Sequence, residues 1–120
     1  GADWRTLDNG DILLWLPEIT EASAVKSDQE ELLRQITLTQ KETGELEIDV
    51  AAIKDNGQCS IRVDIQSEVR YPNMQGIEVI LNLPDDQRME KTNRSGGIVF
   101  SRIKCVDLHL ARLTIKTPTT

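Results

Sequence analysis

The residues of this 120-residue chain whose types could do chemistry are one histidine, two cysteines and a few close-set carboxylates. His109 lies between Leu108 and Leu110. As a catalytic base it would need a nucleophile within reach and an acid to orient it, and as a zinc ligand two or three His or Cys partners. The sequence offers neither, so a solvent-facing or hydrogen-bonded structural histidine is expected. Cys59 and Cys105 fit no metal-ligand spacing. Buried thiols acting as small apolar core residues are the expectation. A bridge between two strands is the alternative, and it would imply an oxidising compartment.

The carboxylates are weighed in the same way. Asp8-Asn-Gly-Asp11 resembles a fragment of a calcium loop, but calcium takes six to eight oxygens and no glutamate stands where such a loop needs its bidentate ligand. An Asx turn is expected there, and Asp85-Asp86 after Pro84 reads as a turn too. Glu45, Glu47 and Asp49 alternate along one strand, which sets them in a row on a solvated face rather than across a cleft. Arg88, Lys91 and Arg94 make a small basic spot around one hairpin, able to meet an acidic partner or a phosphate. Ser95-Gly-Gly97 lacks the lysine and following helix of a phosphate loop, and no nucleophile elbow or H-E-x-x-H occurs. No catalytic, cofactor or metal residue is assigned, and no enzyme activity is expected.

The charge and length narrow the classes further. A chain of 120 residues is one domain. A net charge of −6 argues against a nucleic-acid binder, whose phosphate contacts need a basic surface. Four aromatic residues, Trp4, Trp15, Tyr71 and Phe100, leave little for base stacking or a sugar platform. No run approaches the ~18–20 apolar residues of a membrane span. Gly1-Ala-Asp-Trp4 is neither basic nor apolar, so no signal peptide is expected. Gly1 reads as a remnant of tag cleavage on a fragment of a larger protein, with a cytoplasmic setting favoured.

The elements that would position these groups are strands. Ile12-Leu-Leu-Trp-Leu16, stopped by Pro17, suits a buried strand, and both tryptophans lie near it. Glu18 to Gln29 reads as a loop. Ser27-Asp-Gln-Glu30 has the form of a capping box, yet β-branched alternation favours a strand from about Leu33 to Gln40 over a helix. Lys41-Glu-Thr-Gly44 turns the chain, and Leu46, Ile48 and Val50 share the inner face of the next strand. Asp55-Asn-Gly57 is a tight hairpin signal, leading to Cys59, Ile61, Val63 and Ile65 on one face. Strands from Ile77 to Leu83, Gln87 to Thr92 and Ile98 to Ile103 follow, separated by turns at Pro84 and at Asn93-Arg-Ser-Gly-Gly97. The last strand, Leu108 to Thr117, changes phase, which predicts a bulge near Ala111-Arg112. Residues 1–31 form an N-terminal extension or extra strand packed on the domain, and residues 32–120 the β-sandwich proper.

Gly76-Ile-Glu-Val-Ile-Leu81, Lys91-Thr-Asn-Arg-Ser-Gly-Gly-Ile-Val-Phe100 and Leu113-Thr-Ile115 together resemble the prealbumin-like sandwiches, which include the carboxypeptidase regulatory-like and Cna-B-type domains. The resemblance covers roughly residues 59–117, with Asn93 where aspartate is usual. It implies a seven- to eight-stranded antiparallel Greek-key β-sandwich serving as a structural or ligand-presenting module of a larger, bacterial-type protein. Some relatives carry a Lys–Asn isopeptide bond. Lys54 and Asn82 are present here, but the closing acidic motif is absent and no cross-link is expected. The expected function is a non-enzymatic accessory module for contact with other protein domains or for spacing, with strand addition at an open edge as its binding mode. The alternative is a small-ligand or carbohydrate-binding module. The expected interaction surface is Arg88, Lys91, Arg94, Trp4 and Trp15.

Overall fold

The structure, a computed structural model, describes residues 3–16 and 30–117. The loop expected from Glu18 to Gln29 and the first three residues of the Ser27–Glu30 capping box lie outside those residues. Nine strands are described: β1 (Trp4–Thr6), β2 (Ile12–Trp15), β3 (Glu31–Leu38), β4 (Glu47–Asp55), β5 (Gln58–Gln66), β6 (Glu78–Leu83), β7 (Asp86–Lys91), β8 (Gly97–Ile103) and β9 (Arg112–Ile115). They form two antiparallel sheets, ordered β1-β2-β9-β6-β7 (sheet A) and β3-β4-β5-β8 (sheet B). The successive strands β5 and β6 lie in opposite sheets, and β8 and β9 return beside them, a Greek-key path across an all-β sandwich. The strand beyond the expected seven or eight is β1. Three residues are too few to show a period, and β1 exists because it pairs with β2.

Alternation in each strand becomes a row across each sheet. In sheet B, Ile36, Val50, Val63 and Ile98 stand side by side in register, all buried. In sheet A, Ile12, Ile115 and Val79 form one inner row, and Leu14, Leu113 and Leu81 the next. The two inner faces meet in one apolar core, with Trp4 packed on its margin. Residues 12–15 therefore belong to sheet A, with Ile12 and Leu14, and Leu16 just after them, buried in that core.

Turn chemistry fixes where the strands meet. Asn56 (φ 51°) and Gly57 (φ 78°) both take positive φ, giving the two-residue hairpin between β4 and β5 that the Asn-Gly pair demands. Residues Gln40–Thr43 form a single helical turn, α1. It starts at Thr39, whose N–H and hydroxyl donate to the Glu42 carboxylate at 3.1 and 3.0 Å, and it stops at Gly44, φ 90°.

Two expectations at the C-terminal end are overturned. The phase change after Leu108 is a 3₁₀ helix, Cys105–Leu110, and not a bulge in a long strand. At three residues per turn Cys105, Leu108 and Ala111 share one face, and Leu108 and Ala111 are buried on it. This helix brings Cys105 to β5, where it is disulfide-bonded to Cys59 across a Cα–Cα distance of 5.2 Å. The cysteines are bridged, not free thiols; a 3₁₀ turn between β8 and β9 carries Cys105 back to the sheet, and strand periodicity gives no sign of it.

The loop before β8 is held by an unusual density of hydrogen bonds. Asn93 Oδ1 accepts from the N–H groups of Ser95 (3.0 Å) and Gly97 (2.9 Å) and from the Ser95 hydroxyl (2.8 Å). Gly96 O accepts from Ile65 N–H at 2.9 Å, which seals the loop onto β5. Thr92, 2% exposed, donates its hydroxyl to Met74 O and accepts from Ile77 N–H at 2.9 Å, tying this loop to the one before β6.

Gly96, at φ 93°, leaves only 2.1 Å between a built Cβ and Ile65 O. Gly96→Ala therefore lowers the thermal midpoint by about 10 °C or more, read by circular dichroism, as left-handed strain adds to a backbone collision. The bridge closes a 46-residue separation. A Cys59→Ala/Cys105→Ala double variant is expected to lose about 3–4 kcal/mol in urea denaturation.

Candidate functional site

The groups singled out for chemistry are bound into the fold or stand apart. Asp11, 6% exposed, accepts from Lys116 Nζ and Asn9 Nδ2, each at 3.0 Å, and from Thr117 N–H at 3.3 Å. The Asp8–Asp11 segment is thus the expected turn, and its carboxylate pins the C-terminal end of β9. His109 is exposed on the 3₁₀ helix rather than on a strand. Among the described residues no three His, Cys, Asp or Glu side chains gather closely enough to hold a metal ion. No described helix is long and apolar enough to cross a membrane.

The five residues expected to make the interaction surface do not converge. In β7, Arg88 stands opposite Leu81 and Lys91 opposite Glu78, so alternation sends them to opposite faces of sheet A. Arg94 is exposed in the loop before β8. All three Arg88 guanidinium nitrogens are engaged: Nε with Asp86 at 2.9 Å, Nη1 with Ser101 O, and Nη2 with Arg102 O at 3.1 Å. The two carbonyls belong to a bulge, where Ser101 and Arg102 of β8 stand opposite Ser60 alone. Arg102 there takes φ 57°. Arg88 consequently straps the edge of sheet A to the edge of sheet B. Trp4, opposite Leu14, faces the core, whereas Trp15, opposite Arg112, lies on the outer face. The two indoles share no surface.

One hollow, of about 330 Å³, lies between β7 and β8 beside Arg88, Glu90 and Ser101, and another lies on the outer face of sheet B. There β3, β4, β5 and β8 align Gln35, Ala51, Arg62 and Val99 in one row and Thr37, Asp49, Asp64 and Gly97 in the next. Where the small residues Ala51 and Gly97 fall, the face sinks into an open depression of about 340 Å³. Val99, 56% exposed, walls one side, and Asp49 and Asp64 stand on the rim directly opposite each other. Like charges in that position repel. Among the described residues each carboxylate has a neutral partner, Thr37 Oγ1 for Asp49 and Gln66 Nε2 (2.9 Å) for Asp64. Arg62 also lines the depression, but both ends of its guanidinium fork are taken by Glu30, at 2.9 and 3.1 Å.

The solvated carboxylate row foreseen along β4 is thus resolved into different environments. Glu47 is exposed, Glu45 accepts from the Ser67 hydroxyl at 3.2 Å, and Asp49 belongs to the depression. Asp64 and Gly97 carry no signal in their own segments. Only the β4–β5–β8 register makes them neighbours of Asp49.

Compared with known protein families, characterised proteins and solved structures, the chain matches none.

Because Arg88 occupies two carbonyls at the edge of β8, Arg88→Ala is expected to cost about 1–3 kcal/mol in urea denaturation. The same variant bares a strand edge, so sedimentation velocity should detect concentration-dependent self-association that the parent chain lacks at equal concentration.

Proposed function

We propose that this domain is a non-enzymatic β-sandwich module that contacts other protein domains, or spaces them, within a larger protein. The observation that carries this reading is the depression on sheet B. It is an open, mostly apolar hollow on a rigid four-stranded face, its two aspartates stand side by side on neighbouring strands, and its one cation is paired with Glu30. Such a surface is suited to receiving side chains of another polypeptide. Proton transfer calls instead for an acid and a base facing each other across a cleft in contrasting environments.

The edges support binding by a face over binding by strand addition. β1 has three residues, β7 carries four charges in six, and β8 is bulged and strapped by Arg88. β3 is broken by a register shift at Leu33, and its Arg34 is paired with Asp3, which precedes β1 of the opposite sheet. The two-sheet antiparallel architecture supports the prealbumin-like kinship that the strand and turn motifs imply. The Cys59–Cys105 bridge favours an oxidising compartment over the cytoplasmic setting. Trp4 and Trp15, set on opposite faces, lend nothing to a carbohydrate platform.

The test is affinity capture on the immobilised domain, followed by a binding isotherm for each recovered protein and, in parallel, turnover assays on hydrolase and transferase substrate panels. A saturable isotherm of one-to-one stoichiometry is the expected result. Turnover that scales with the purified domain, with no saturable protein partner, overturns the proposal.

A further inference from the structure

On the reading of the domain as an interaction module, we infer that the depression on sheet B receives an arginine side chain from an extended segment of a partner protein. Three observations converge on that residue. The hollow combines an apolar wall and floor, Val99, Ala51 and Gly97, with a carboxylate rim, Asp49 and Asp64. An arginine presents the same division in reverse, an apolar stem ending in a cation.

The second observation is the geometry of the rim. Asp49 and Asp64 are directly opposite across the β4–β5 ladder, where Cβ atoms stand roughly 4.5–5.5 Å apart. The planar guanidinium, with five donors in a fixed fork, spans two carboxylates at that separation and removes the repulsion between them. An ammonium ion can also sit between the two, but its three donors on one atom lack the planar fork that meets a carboxylate with two parallel bonds.

The third is that the domain's own nearby cation is held off. Arg62, beside Ala51 in the same row, is drawn to Glu30 by a two-pronged pair, so it does not neutralise the aspartates from within. Charge complementarity therefore selects a cation from outside. The hollow opens on a flat sheet face, which an extended segment can cross. Gly97 leaves it room: the nearest atoms to a Cβ there belong to the Asn93 side chain, at 3.5–3.9 Å.

The experiment is an amide-resolved NMR titration of the intact domain with a capped pentapeptide carrying one central arginine among glycines. The same peptide with citrulline, which keeps the shape and loses the charge, is the control, and so are magnesium and calcium chloride. Shifts centred on Ala51, Gly97 and Val99 are expected with arginine and not with citrulline, weakening several-fold as salt rises from about 0.05 to 0.5 M. Gly97→Ala narrows the hollow with a Cβ that stands at ordinary van der Waals distance from its neighbours, and Asp64→Asn removes half the rim charge. Each should weaken binding about tenfold while leaving the remaining spectrum folded. Shifts equal with citrulline, shifts elsewhere, binding unchanged in both variants, or saturation by a divalent cation alone each overturn the inference. Partner capture that persists undiminished in both variants leaves the module reading standing and removes this one.

Discussion

The register between β4 and β5 governs the rest of this molecule. The Asn56-Gly57 turn allows only a two-residue connection, and that sets Val50 against Val63 and Ile48 against Ile65 on the inner face. Because side chains alternate with period two, a slip of one residue would turn every one of these apolar groups to solvent. The same registration places Ala51 beside Arg62 and Asp49 against Asp64 on the outer face. The core and the candidate surface are therefore two sides of one decision. The outer face can carry a like-charge pair because inner-face burial, at roughly 1.5–3 kcal/mol per large side chain, outweighs a surface repulsion several-fold.

A two-sheet sandwich leaves its sides open, and here arginines help to close them. Arg34 of β3 reaches Asp3, next to β1, on one side, and Arg88 of β7 reaches the β8 bulge on the other. Each joins an edge of one sheet to an edge of the other. The Cys59–Cys105 bridge adds a covalent tie between β5 and the 3₁₀ helix, and Lys116–Asp11 ties the end of β9 to the β1–β2 turn. Asp11, Arg88 and the two cysteines are thereby given structural work, while the exposed face of sheet B keeps a hollow with a carboxylate rim.

Much of this was legible in the sequence. The alternation in Leu46 to Ile53 and Cys59 to Ile65, the Asn-Gly turn and the Asp8–Asp11 turn all appear where local pattern put them, because each depends on neighbours only a few residues away. The Cys105–Leu110 helix was not legible. Leu108 and Leu110 have strand spacing, and the three-residue period of Cys105, Leu108 and Ala111 acquires meaning only when a sheet lies beneath it. Arg88 reads in sequence as a cation of a surface spot because, Asp86 apart, its partners are main-chain carbonyls 13 and 14 residues away, released by a bulge that no side chain encodes.

The sequence by itself determined the strands, the turns and which residues face inward, since these follow from a two-residue period and from backbone torsions that particular residues permit. It also determined the excess of acid. Tertiary structure alone decided that Asp49, Asp64 and Gly97, drawn from three strands and spread over 48 positions, share one hollow, and that the two cysteines meet. The physical reason is that alternation fixes a side chain's face, while its lateral neighbours depend on strand order and register. Those are set by the packing of two whole sheets against each other.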